Sequence, residues 1–205
     1  MASLYYPYLT IVFSPLKALM RDQCQRCNNA YAIPSAIVSP EFSEEENRTI
    51  LDRAINGDFK ILFIAPERLS NLDWQASITK MRISMIVVDE AHCISVWGHD
   101  FRPNYRRIVR LIDAIPEKTP LLALTATANQ RVETDILRQI RDAEIVRGSM
   151  RRPNLSLNVV KLLGNQNKLA YLAEALPQLP ETGIIYTATR TDAEMVAAFL
   201  NKQRK

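Results

Sequence analysis

The chain has 205 residues, 47% hydrophobic and 23% charged, which excludes a disordered or fibrous protein and suits one complete domain, or one and part of another. Twenty-six basic against 22 acidic residues leave a net charge of +4, a mild bias toward polyanionic partners. No apolar run reaches the roughly 18–20 residues of a bilayer span, residues 1–8 lack a basic and then apolar leader, and three cysteines make no disulfide framework. A cytoplasmic protein is expected, and a nuclear setting also fits.

Short apolar runs alternate with helical periodicity along the chain. Leu9 to Phe13 reads as a buried strand stopped at Pro15, and Leu16, Leu19 and Met20 then repeat at helical spacing. Ser35 to Val38 is a second strand, and Ser43-Glu44-Glu45-Glu46 is a capping box opening a helix to about Ile55. Ile61 to Ala65 and Ile83 to Val88 are continuously apolar, as strands buried on both faces are. Ile108, Leu111, Ile112 and Ile115 mark an amphipathic helix, Leu121 to Leu124 a strand, and Val132, Ile136 and Ile140 another helix. This alternation predicts an α/β parallel sheet flanked by helices over residues 1–147. Gly148 to Asn154 interrupts the pattern and reads as a hinge. Residues 155–205 read as the opening of a second α/β unit, with strands at Leu155 to Val160 and Ile184 to Tyr186 and helices around Lys168 to Leu176 and at the C-terminus.

The sharpest chemical feature is Asp89-Glu90, two adjacent carboxylates at the C-terminal end of the most apolar strand, where open α/β sheets bind ligands. Adjacent residues on an extended strand point to opposite sides, so one carboxylate can hold Mg²⁺ while the other addresses an attacking water. The plainer alternative has Asp89 capping a following helix. Trp97 and Phe101 offer ring faces for bases, and Arg102 and His99 can meet phosphate or the two carboxylates; alternatively the rings pack around a turn at Gly98. Ser14, Thr125 and Thr127 precede helices and can serve as caps, as phosphate contacts, or as both. Arg190 is most simply a solvated residue at a helix start. Cys24 and Cys27 have no second pair to complete four zinc ligands, so no zinc site is expected.

The string from Asp89 to Pro103, Asp-Glu-Ala-His-Cys-Ile-Ser-Val-Trp-Gly-His-Asp-Phe-Arg-Pro, resembles motif II, a DEAH box, and the aromatic-rich loop of the RecQ family of DNA helicases. Other segments follow in that family's order: Val12 to Leu16 with Asp22-Gln23 resembles motif Ia, Ala65 to Leu69 a strand-end motif, and Leu124 to Ala128 motif III. Arg152-Pro153-Asn154 resembles the interdomain joint, and Ile184 to Arg190 resembles motif IV, with departures at Thr187 and Thr189. The resemblance implies two RecA-like lobes that close on ATP with Mg²⁺ and step 3′ to 5′ along single-stranded DNA. It assigns Asp89 to Mg²⁺ and Glu90 to the hydrolytic water. His92, Arg102, Thr125 and Thr127 fall to coupling, Ser14, Trp97, His99, Phe101 and Arg102 to DNA, and Arg190 to the second lobe.

None of the five glycines is followed by lysine, so the sequence contains no G-x-x-x-x-G-K-[ST] phosphate loop. Motifs V and VI of the family are also not found in it. Three charge-assisted bonds to phosphate, at roughly 1.5–3 kcal/mol each, amount to at least about 4.5 kcal/mol, more than a thousandfold in affinity. A truncated helicase core is therefore expected, with weak ATP binding and no activity by itself. The family's phosphate-loop strand is expected beside the motif II strand, so its absence would leave a gap or an exposed edge open to self-association. The competing readings are a nucleotide-independent DNA- or partner-binding remnant and, further behind, an RNA helicase, whose motif III more usually reads Ser-Ala-Thr.

Overall fold

The computed structural model describes residues 2–98, 100–116, 118–140, 143–148, 154–179 and 182–203. The chain divides into two compact units, Met1–Val146 and Arg147–Lys205.

The first unit is built on β1 (Leu9–Phe13), β2 (Ser35–Val38), β3 (Ile61–Ile64), β4 (Ile83–Val88) and β5 (Leu121–Ala123). They form one parallel sheet in the order β2-β3-β1-β4-β5. A parallel sheet puts the carboxyl ends of all its strands along one edge, and the residues that follow them, Ser14, Asp89 and Leu124 among them, share that edge. The expected gap beside the Asp89–Glu90 strand is not there: β4 is hydrogen-bonded to β1 on one side and to β5 on the other. The open edges among the described residues lie at β2 and β5.

Side-chain alternation explains why both sheet faces are covered. Leu62 and Ile64 of β3 join the larger core with Ile11 and Phe13, whereas Ile61 and Phe63 point into a second cluster with Met20 and Cys24. Cys24 is thus a packing residue of α1 (Lys17–Ala30), and burial holds its thiol above the ordinary range. The larger core also takes Leu51 and Ala54 from α2 (Glu44–Asn56), Ile108 and Ile112 from α4 (Tyr105–Ala114), and Val132 and Ile136 from α5 (Gln130–Gln139).

The capping box forms as the sequence predicts: the Ser43 hydroxyl accepts from Glu46 N–H at 3.2 Å, and the Glu46 carboxylate accepts from Ser43 N–H at 2.8 Å. One helix goes beyond the sequence reading. Asn71 Oδ1 accepts from the backbone N–H groups of Asp73 and Trp74 at 2.9 and 3.2 Å, starting α3 (Leu72–Ile78) and turning Trp74 into the core.

The second unit contains α6 (Gly164–Ala175) and α7 (Arg190–Gln203). Strands were expected at 155–160 and 184–186, but neither segment is paired as a strand. A strand exists through its ladder partner, and among the described residues of this unit none is present. Residues 149–153 of the expected hinge lie outside the described residues. Among the described residues, no helix is long and apolar enough to cross a membrane.

Candidate functional site at the carboxyl edge of the sheet

The β1–β4 pairing runs one step past the strands, with Asp89 N–H donating to the Phe13 carbonyl at 2.8 Å. That extension fixes the Asp89 backbone, and its side chain is fixed as well. Oδ2 accepts from the Ser14 hydroxyl at 3.1 Å and Oδ1 from the Glu90 N–H at 3.0 Å. The Asp89 carbonyl accepts from the Tyr105 hydroxyl at 3.0 Å. Tyr105 is fully buried, and burial keeps its phenol neutral well above the usual range. Asp89 is therefore held at four points, and it does not cap the short helix Ala91–Ile94.

Glu90 sits at φ 48° and ψ 48°, the left-handed region that a non-glycine residue enters only when its surroundings require it. The requirement is visible: Leu124 N–H donates to the Val88 carbonyl and Ala91 N–H donates to the Leu124 carbonyl, both at 2.8 Å. The chain must reverse between those two bonds. Glu90 takes up the turn, and its Oε2 comes within 3.2 Å of His92 Nδ1.

His92 is buried, and that single ring nitrogen meets three oxygens. Thr125 Oγ1 lies at 2.9 Å, Glu90 Oε2 at 3.2 Å and Thr127 Oγ1 at 3.3 Å. Thr127 N–H also donates to Thr125 Oγ1 at 3.2 Å, which fixes the two hydroxyls relative to each other. One nitrogen cannot serve three oxygens equally, so a shift of either threonine changes what remains for Glu90.

Beyond the short helix the chain loops out and returns, closed where Arg102 N–H donates to the Cys93 carbonyl at 3.1 Å. Trp97 is 54% exposed, with the Arg131 guanidinium 3.3 Å from its ring centroid. Phe101 is half-buried under Arg106, 5.4 Å away. Cys93 is buried and its thiol is pushed up to about 11, first by burial and then by the charge of Asp100. His92, Cys93 and Asp100 bring possible ligand atoms within 4.8 Å of one another, but the Arg102 cation already holds Asp100 Oδ2 at 2.8 and 3.0 Å and opposes a second positive charge there.

The structure thus brings Ser14, Asp89, Glu90, His92, Thr125 and Thr127 together, with Trp97, Phe101 and Arg102 on the adjoining loop. Two placements differ from the sequence expectation. The Ser14 side chain, expected near a DNA backbone, is fully buried and its hydroxyl donates to Asp89. Arg102 engages neither Asp89 nor Glu90; it binds Asp100 and donates from Nη1 to the Pro15 carbonyl at 3.2 Å. His99 lies outside the described residues. Arg190 is exposed at the start of α7, where the Thr189 hydroxyl accepts from Asp192 N–H at 3.1 Å as a cap. Sequence reading misses Tyr105, Ser95 and Asp135, since a hydroxyl partner 40 residues away leaves no local signature.

The residues that build this site all lie within a stretch that matches a known family. Residues 3–136 match the DEAD/DEAH box helicase family, and the chain belongs to it. Within the wider group the chain is similar to DNA helicases of the RecQ kind. It is 36% identical to ATP-dependent DNA helicase RecQ of Bacillus subtilis over 98% of this chain and 34% of that protein. It is 37% identical to ATP-dependent DNA helicase hus2/rqh1 of Schizosaccharomyces pombe over 94% of this chain and 15% of that protein. The chain therefore spans about a third or less of these relatives. Among solved structures, Mycobacterium smegmatis helicase Lhr bound to ssDNA and AMP-PNP superimposes with a TM-score of 0.64 at 17% identity, covering 96% of this chain and 28% of that one. Saccharomyces cerevisiae Dbp5 bound to RNA and ADP BeF3 gives 0.61 at 18% identity, covering 97% and 49%. At such identities the likeness establishes the RecA-like fold expected from the sequence.

Proposed function

We propose that this chain carries the acidic pair and the DNA-contacting loop of a RecQ-like helicase core that couples ATP hydrolysis to 3′ to 5′ movement on single-stranded or partly duplex DNA, in the cytoplasm or nucleus. The observation that carries this reading is His92 Nδ1, which touches Glu90 on one side and Thr125 and Thr127 on the other and stands on the short helix that leads into the Trp97 loop.

Asp89 suits Mg²⁺. Among the described residues each of its oxygens accepts one hydrogen bond and so keeps acceptor capacity, and a hard cation takes oxygen ligands. The ion, when bound with ATP, would neutralise charge on the phosphates. Glu90 orients and deprotonates the hydrolytic water, with its carboxylate position set by His92. Ser14 and Tyr105 position Asp89. Trp97 and Phe101 take bases, and the names of the similar helicases favour DNA over RNA as the polymer. In the second unit, Arg190 is a candidate contact of the same core.

The sequence holds no phosphate loop, so these 205 residues by themselves are expected to bind MgATP weakly and to hydrolyse none above background. The check is ATP turnover by the purified chain with and without single-stranded DNA, beside Glu90→Gln. DNA-stimulated turnover that disappears in Glu90→Gln would overturn the expectation of inactivity and imply another phosphate-binding surface. A second reading, a nucleotide-independent DNA-binding module, is favoured by the exposure of Trp97 beside arginines and predicts DNA affinity that MgATP does not change. The unpaired side of β5, with Leu122 38% and Leu124 45% exposed, offers a surface for self-association. Concentration-dependent sedimentation is its expected sign, and a monomer at all concentrations removes it.

A further inference from the structure

Helix α5 presents Arg131, Thr134, Asp135 and Arg138 at the spacing of one helical face, while Val132 and Ile136 are buried on another. With Trp97 and Gln130 these residues line a depression of about 660 Å³. One wall is fixed from inside. The hydroxyl of Ser95, a fully buried residue, donates to Asp135 Oδ2 at 2.6 Å and accepts from Trp97 N–H at 3.1 Å, so α5 holds the backbone that carries the indole. Arg131 and Arg138 are exposed, and among the described residues neither is in an ion pair.

We propose that Trp97 and this face of α5 form one subsite for single-stranded DNA, with a base stacked on the indole and backbone phosphates on Arg131 and Arg138. The inference rests on the reading of Trp97 as a DNA contact and adds a second element to it. Arg131 stacks on one face of the indole, 3.3 Å from the ring centroid, and Trp97 is still 54% exposed; an aromatic ring open to a base beside two guanidiniums held in no ion pair fits a strand that has both planar bases and regularly spaced negative charge. An acidic peptide would use the charges and leave the ring idle. The placement also has a mechanical meaning: only Ala128 and Asn129 separate Thr127 from the start of α5 at Gln130, so a strand gripped by α5 pulls on the same segment whose hydroxyls meet His92.

The test is fluorescence anisotropy of a labelled oligo-dT titrated with the whole 205-residue chain over about 50–200 mM salt. The double variant Arg131→Ala with Arg138→Ala should bind more weakly, with a salt slope reduced by about 1.4, roughly 0.7 for each lost phosphate contact. Arg131→Lys, which keeps the charge and loses the planar stack, should keep the slope. Trp97→Ala should weaken binding by about 5- to 150-fold with the slope unchanged. If Trp97→Ala weakens binding while the double arginine variant matches wild type in affinity and slope, α5 is no part of the site and the reading of Trp97 stands. If the wild-type chain does not bind oligo-dT, both readings fall.

Discussion

Replacing Trp74 by alanine is expected to remove about 3–5 kcal/mol of stability from the first unit, a large part of the 5–15 kcal/mol that holds a typical domain. The indole is 1% exposed and meets Phe13 of the central strand edge-on, with ring centroids 6.5 Å apart and planes at 85°. Removing it takes the anchor of α3 out of the core and leaves a cavity next to β1. Far-UV circular dichroism in urea should show the unfolding midpoint fall by about 1 M or more, given typical slopes of about 1–3 kcal/mol per molar. A midpoint within about 0.3 M of wild type would mean that the core closes over the loss and that α3 is dispensable.

Gly98→Ala should act on binding rather than on the fold. Gly98 N–H donates to the Ser95 carbonyl at 3.0 Å, and an added Cβ would overlap the His92 carbonyl oxygen and press on the Ser95 carbonyl oxygen at 3.2 Å. Only glycine allows that approach, so the turn must open and carry Trp97 away from α5. The expected result is a melting curve close to wild type and oligo-dT affinity reduced about as much as by losing the indole itself, roughly 5- to 150-fold. Wild-type affinity in a folded Gly98→Ala would show that the position of Trp97 is not what binds DNA.

The five strands were legible because each is a short apolar run with a clear stop, and in the interior strands of a parallel sheet burial on both faces writes that pattern directly. The Asp89–Glu90 pair was legible for the same reason, since the sequence changes from Val88 to two carboxylates in one step. What escaped depended on partners far away in the chain. Ser14 read as a helix cap or a phosphate contact, yet its hydroxyl is buried against a carboxylate 75 residues later. Trp74 gave no periodic signal because seven residues make too short a helix to show one. The strands expected at 155–160 and 184–186 show the converse: apolar, β-branched composition favours a strand, but only a hydrogen-bonding neighbour makes one.

Strand β1 lies at the centre of the sheet and comes first of the five in the sequence. During synthesis it leaves the ribosome with neither neighbour available, since β3 and β4 must still be translated. At about 5–20 residues per second, the 75 residues between Ser14 and Asp89 take roughly 4–15 s to appear. Within that interval β3 follows first and can cover one edge of Leu9 to Phe13, while the other edge stays unmet until β4 is made. The arrival of β4 allows the Ser14–Asp89 bond, and the contacts of His92 with Thr125 and Thr127 wait for the residues after β5. A nascent chain stalled before Val88 is therefore expected to aggregate more readily than one stalled after β5, because β1 still has an unmet apolar edge.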